Sequence, residues 1–529
     1  MAVGTLAGNA ITTGIQNTLV GGLAGDALTV GGGNVAVGIN ALSSDTKGSH
    51  TVAIGNGALF AQNFTTATNV FNVGIGYAAG GAVTTGIDNT FVGALAGDAL
   101  TVGNNNVALG RSALGADTKG DRAVAIGNYA LNAQNFTTST DNYNVAVGYS
   151  AGASVTTAVQ NTIVGAQAAD ALTQGARNTA LGYVALSSDT LGQYSVAVGY
   201  GALFTQNFTT ATNNYNVAVG YNAGGSVTVG IRNTLLGGEA GDALTNAADN
   251  VAVGALALSG DTLGHGSVAV GRGALKVQNI TTASYTYNVA VGYSAGEAVT
   301  TGTLNSIVGG TAAAALQNGV RNSVVGYAAL GSATSSDTCT TMGYAAGYQI
   351  TTGDNNTAIG ADALRTGSPG GPATTDSNVI GLGDENISSF HCQVALTVSS
   401  DQRDKTDFVD LDLGLDFVKG LEPVTYYWDK RSKYGDKYAD DYDLDAQTPD
   451  GTHKEDWMDV GFKAQSVQAL EEAAGYTSAA KKNLTVSVNS DGKQLGLKYE
   501  KFIPILVKAI KDQDAIITAL TARVAALES

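Results

Sequence analysis

The chain has 529 residues, about twice what one core supports, with 71 glycines, 5 prolines and only 13% charged residues. High glycine without proline excludes collagen, no run of 18 apolar residues supplies a spanning helix, a net charge of −17 argues against binding nucleic-acid phosphates, and Cys339 and Cys392 offer neither a metal spacing nor a disulfide framework. The opening MAVGTLAGNA lacks a basic region and an apolar stretch, so no secretory signal is expected.

From the first residues a motif of the form Asn-Val-Ala-Val-Gly recurs, as in Asn34–Gly38, Asn144–Gly148 and Asn216–Gly220. Its final glycine returns 21 times between Gly4 and Gly360, in steps of 17, 17, 17 and 21 that repeat as a superperiod of 72, with the last four steps all 17. Spacing without drift over so many copies predicts a solenoid over residues 1–366. Val-Ala-Val alternates with period two and reads as a strand, with the outer Val or Ile facing a core and the central Ala facing a second, crowded surface. The glycine ends the strand where the turn needs positive φ or close backbone approach. Coils stacked ~4.8 Å apart would span roughly 100 Å.

The residue four before each glycine is Asn in most units, and the exceptions Thr51, Ala123, Ser195, Ser267 and Cys339 lie 72 apart. A stacked Asn column can bond along the axis or cap a turn. Cys339 fills a slot of that ladder, as a small buried residue rather than a nucleophile. These coils resemble the head repeats of trimeric autotransporter adhesins, YadA-like heads, with Asn322–Ala329 as the nearest local match. The resemblance implies a left-handed parallel β-roll of three chains with small residues at their interface. The 17- and 21-residue units depart from it by their length.

The four 21-residue units contain Gln62-Asn-Phe-Thr-Thr66, Gln134–Thr138, Gln206–Thr210 and Gln278-Asn-Ile-Thr-Thr282, each followed by an aromatic, Phe71, Tyr143, Tyr215 or Tyr287. Four added turn residues are expected to protrude as a column of polar and aromatic bumps, one every four coils, with Asn63, Phe64, Asn135, Phe136, Asn207, Phe208 and Asn279 as candidate contacts for a glycan or protein receptor. The opposing expectation is that the insertions are filler whose Phe folds back onto the roll.

A boundary follows. Residues 401–529 hold 24 of the 44 acidic and 17 of the 27 basic residues, but only 8 of the 71 glycines. Residues 367–398, opening with Gly367-Ser-Pro-Gly-Gly-Pro372, read as the linker between the shaft and a small α+β domain over 399–529. There, Phe408–Leu421 reads as a short amphipathic helix, Glu422–Trp428 as a strand, Asp436–Glu455 as an acidic loop, Asp459–Gln465 as the lead into a helix over Ser466–Ala474, and Leu484–Val488 with Leu495–Tyr499 as a hairpin. Apolar residues spaced 3 and 4 apart, from Ile503 to Leu527 with Gln513 as the one polar position, predict a coiled coil over 500–528. Ile and Leu at its core positions favour two strands by themselves. A trimer is nevertheless expected, because a short coil follows the symmetry of the long roll attached to it.

Ser400-Asp-Gln-Arg-Asp-Lys405 resembles the opening of the C-terminal intramolecular chaperone family of phage tail spikes and fibres, an autoproteolytic serine-peptidase family. Leu421-Glu-Pro-Val-Thr-Tyr426, Gly461-Phe-Lys-Ala-Gln465 and Leu497–Ile510 follow in the family's order, with Lys463 and Thr406-Asp407 as departures. The resemblance implies a homotrimer whose chaperone domains align the shafts and are then cut off between Ser399 and Ser400. Ser400 would be the nucleophile and Lys405 the general base, with Asp401 and Arg403 orienting the loop and no metal or cofactor. Serine needs a neighbour to take its proton, and lysine serves only where burial or nearby cations favour its neutral form. On the local residues alone, Ser-Asp could simply cap a helix with Arg and Lys on its solvent face. A clamp of this kind is physically useful, since near-identical repeats can pair out of register at little cost.

The expected protein is thus a virion tail fibre, made in the host cytoplasm, that contacts a host receptor and other tail proteins and inserts into no membrane. A bacterial surface adhesin would need a signal peptide and a membrane-anchoring barrel. A polysaccharide-degrading spike would need a catalytic domain and more carboxylates than the repeats offer. The chain opens directly in a coil at Val3-Gly4, which points either to a shortened chain or to attachment through another fibre protein.

Overall fold

The computed structural model describes every residue except Ala395, Asp440, Lys481, Asn483, Ser490 and Ser529. The chain forms two compact units, Met1–Arg321 and Asn322–Ser529.

The first unit is a parallel β-solenoid of three-residue strands. Val35, Ala36 and Val37 lie opposite Val52, Ala53 and Ile54 one coil on, and these lie opposite Val73, Gly74 and Ile75 across a 21-residue step. The four added residues are therefore absorbed outside the strand. The periodic glycines from Gly4 to Gly309 hold φ between 129° and 141°. A Cβ on Gly148 would sit 2.5 Å from the Gly165 carbonyl oxygen, so these positions require glycine on two counts.

The strand faces are the reverse of the expectation. The central Ala36, Ala53, Ala146 and Ala218 are fully buried inside the coil with Leu42, Leu59, Leu131 and Leu203. The flanking Val, Ile and Leu point outward and are half-buried or exposed. The central position is therefore the inward one, filled most often by Ala and in some rungs by a larger residue such as Leu19, Ile163, Leu235, Ile307 or Val324. Phe91 is the largest of these inward residues. It faces Gly74 on the next strand, and a Cβ on Gly80 would lie 2.7 Å from its ring.

The Asn column is buried and pairs mainly with backbone. Asn34 accepts from the Thr51 N–H at 2.9 Å and donates to the Gly48 carbonyl at 3.0 Å, and Asn89 repeats this with Asn106 and Gly103. Each amide thus closes two backbone gaps of the next coil, which is why Asn recurs there.

In the second unit, coils with strands Ser323–Val325, Thr340–Met342 and Thr357–Ile359 lead to Ile380–Leu382, which pairs with Thr357–Ile359. The segment assigned to the linker therefore contains a further rung. Cys339 is fully buried, donates its backbone N–H to Asn322 Oδ1 at 2.9 Å and points Sγ at the Gly353 carbonyl. Burial pushes its thiol pKa up, against a nucleophilic role.

The remaining residues form a small α+β domain. Helix α1 spans Leu415–Gly420, and the antiparallel strands Pro423–Tyr426 and Asp459–Phe462 pair next. Helix α2 is Ala464–Ala473, the hairpin pairs Val486–Val488 with Leu495–Leu497, and helix α3 runs from Phe502 to Glu528. The hairpin turn includes Ser490, outside the described residues. Leu413, Phe417, Val467, Val486, Phe502 and Ile505 make the core. Buried Glu471 of α2 accepts from both the N–H and hydroxyl of Thr485 at 2.5 Å, tying the hairpin to the helix. Beyond this core, Ile510, Ile517, Leu520, Val524 and Leu527 of α3 are 51–80% exposed. Among the described residues no helix is long and apolar enough to cross a membrane.

Candidate functional site

The described residues of 386–410 are exposed, which sets Ser399 and Ser400 on an accessible strand of chain. Asp401 caps a short 3-10 turn, Gln402–Asp404, by accepting from the Arg403 N–H at 2.9 Å. The Arg403 guanidinium returns to the same carboxylate at 2.6 Å and holds its pKa below the usual range. The turn folds the next residue back, so that Lys405 Nζ lies 2.5 Å from Ser400 Oγ and 3.2 Å from the Ser400 carbonyl oxygen. The four residues singled out in the sequence are thus brought together, with Asp401 also serving as the cap that its local sequence suggests.

Of the two expectations for the shaft insertions, the structure shows the one in which the apolar side chain folds back onto the roll. Phe64, Phe136 and Phe208 are buried, as is Ile280, because each side chain folds back under its own loop. Asn63, Asn135, Asn207 and Asn279 are exposed, each accepting from the hydroxyl of a Thr one coil earlier at 2.9–3.1 Å. Sequence reasoning missed what anchors the loops. Asp45, Asp117, Asp189 and Asp261 are fully buried, 72 apart, and each accepts from a Gln one coil later, as Asp45 does from Gln62 at 2.7 Å. Burial raises the pKa of Asp189 although four hydrogen bonds oppose it. The recurring Asp-Thr-x-Gly before every insertion was the available signal.

Outward residues line up just before the buried Asn or Ser. Arg177 donates to Tyr194 at 2.8 Å and to Gln160 at 2.9 Å, Tyr194 stacks on Tyr215 with centroids 5.3 Å apart, and Arg232 pairs with Asp249 at 2.5 Å. Tyr143, Tyr215 and Tyr287 are about half exposed. The result is a continuous edge of aromatic faces alternating with amide, guanidinium and carboxylate groups.

Residues 400–476 match the family model described as Chaperone of endosialidase, Peptidase_S74, and the matched segment opens on Ser400. No curated protein and no solved structure matches the chain. The chain therefore carries a chaperone-of-endosialidase domain following a long parallel β-solenoid.

Proposed function

We propose that the protein is a homotrimeric receptor-binding tail fibre of a phage, whose C-terminal domain gathers three chains, sets their register and is then severed by its own serine. The observation that carries the cleavage is the contact of Lys405 Nζ with Ser400 Oγ, 2.5 Å, at the first residues of the matched domain. Lys405 as the neutral amine takes the Ser400 hydroxyl proton, and Oγ attacks the carbonyl carbon of Ser399. The C–N bond to Ser400 breaks, its nitrogen receives the proton back, and an ester joins Ser399 to Ser400 Oγ. Water then hydrolyses the ester, leaving a carboxylate on Ser399 and a new N-terminus at Ser400. The bond is cut once per chain. Both side chains are exposed in a single chain, and neighbouring chains closing over them would exclude water from the pair, which makes cleavage await assembly.

Trimerisation is supported by the apolar face that α3 leaves open and by the outward Val, Ile and Leu of the shaft strands, with Leu109, Val308 and Met342 among the exposed ones. Receptor contact is assigned to the alternating edge around Tyr194 and Tyr215. Stacking faces flanked by hydrogen-bonding groups suit sugar rings, and repetition along the shaft suits a polymeric glycan. Denaturing gels of the wild type and Ser400→Ala test the cleavage. Two bands for the wild type and one full-length band for the variant are expected, whereas one full-length band for both removes the peptidase assignment.

A further inference from the structure

The last coils of the second unit end in charge, and the α+β domain answers it. Lys437 Nζ lies 2.9 Å from Glu385, 3.2 Å from Asp362 and 3.6 Å from Asp384, in a nearly buried cluster. Tyr438 donates to Asp362 at 2.8 Å, and the Arg365 guanidinium lies 4.8 Å from the ring centres of both Tyr348 and Tyr438. Lys430 adds a bond to the Glu385 carbonyl at 2.7 Å. In every one of these contacts except that of Arg365 with Tyr348, one partner lies before Ser399 and the other after Ser400. We infer that this cluster is a releasable latch, by which the C-terminal domain stays on the end of its shaft after the chain is cut. The inference rests on the cleavage proposed above and goes beyond it, since a severed, exposed tether then no longer joins the two pieces.

The chemistry of the latch favours reversibility. Three carboxylates converge on Lys437 and Arg365, while Glu385 Oε2 and Arg365 Nε have no hydrogen-bond partner among the described residues. Desolvation of such a cluster offsets most of its attraction, so removing a central partner and leaving the others buried and unpaired costs more than the intact cluster contributes. Burial disfavours the Lys437 charge, but bonds to Glu385 and Asp362 outweigh it and raise its pKa. An apolar joint would leave a sticky open rung on departure. The ionic joint leaves Asp362, Asp384 and Glu385 in water, a charged end that resists pairing with another shaft.

The test uses the full chain carrying Ser400→Ala, with a specific protease site inserted between Thr397 and Val398, so its outcome does not depend on self-cleavage. After cutting, size-exclusion chromatography at low salt is expected to show both pieces together. Lys437→Ala is expected to weaken retention by roughly a hundredfold, because like charges are left unpaired. Asp384→Asn, at the rim of the cluster, is expected to weaken it by less, and Trp fluorescence from Trp428 and Trp457 checks that each variant domain is folded. Separation of the uncut-latch parent at low salt overturns the inference, as does undiminished retention in a folded Lys437→Ala variant.

Discussion

The shaft and the C-terminal domain bury their apolar residues in opposite ways. In the shaft each coil encloses its own Ala and Leu core and leans only on the coil before and after it. The C-terminal domain gathers its core from segments nearly a hundred residues apart, as where the Leu415 N–H donates to Asp512, and leaves most of α3 bare. The shaft is thus close to a one-dimensional stack whose interior is complete within a single chain. The domain leaves an apolar stripe of α3 exposed, the surface that the proposed trimer would cover. The largest exposed apolar stripe thus lies in the domain that matches the chaperone family, not in the shaft.

This contrast can be broken most severely at α3. Leu520→Asp, on the exposed apolar stripe, is expected to convert the oligomer to monomer in sedimentation analysis while leaving the β-rich circular dichroism of the shaft in place. Persistence of a trimer would locate the assembly force in the shaft instead. Phe417→Ala, in the domain core, is expected to cost about 3–5 kcal/mol and to unfold the domain as one unit in hydrogen exchange. Leu203→Ala removes a comparable buried group from the shaft and is expected to cost about 2–5 kcal/mol, yet to raise exchange only in the adjoining coils. Asn216→Ala loses bonds to the Gly230 carbonyl at 2.7 Å and to Gln206 at 2.9 Å, and is expected to cost about 1–3 kcal/mol, read by the same local exchange. The smallest effect on stability, within about 0.5 kcal/mol, is expected for Tyr194→Ala on the exposed edge, where loss of glycan retention on a shaft-coated sensor is the informative readout.

The latch responds to pH with a definite sign. The folded-state pKa of Lys437 lies above its ordinary value of about 10.4, so its contribution is fully present below that value and fades as pH rises through the folded one. Retention of the severed domain is therefore expected to hold through neutral and mildly alkaline pH and to fail only in strong alkali, as measured by co-elution across a pH series.

Much of the fold is legible in the sequence for a geometric reason. Stacking identical rungs forces every requirement of a rung to recur at the same interval, so glycines that must accept positive φ and amides that must close backbone gaps appear as a ruler. The same holds for Ser400 and Lys405, which lie five residues apart and are joined by one tight turn that Asp401 caps. The direction of the strand faces was not legible, because Val-Ala-Val has period two whichever side is inside. Only closure of the coil decides that the central residue, Ala in most rungs, lies within and the flanking residues without. The fate of Phe64 was likewise open, since four added residues can swing out or fold under, and buried Asp45 with Gln62 decides it.

By itself the order of residues determined the rung, its repeat and the short turn at Ser400–Lys405 that opens the C-terminal domain, since each depends on neighbours close in the chain or at a constant offset. The meeting of Asp362 and Glu385 with Lys437 was left to the tertiary structure, as was the bare stripe on α3. Those depend on which distant surfaces come together, and an acidic loop or an apolar heptad carries no record of what will lie against it.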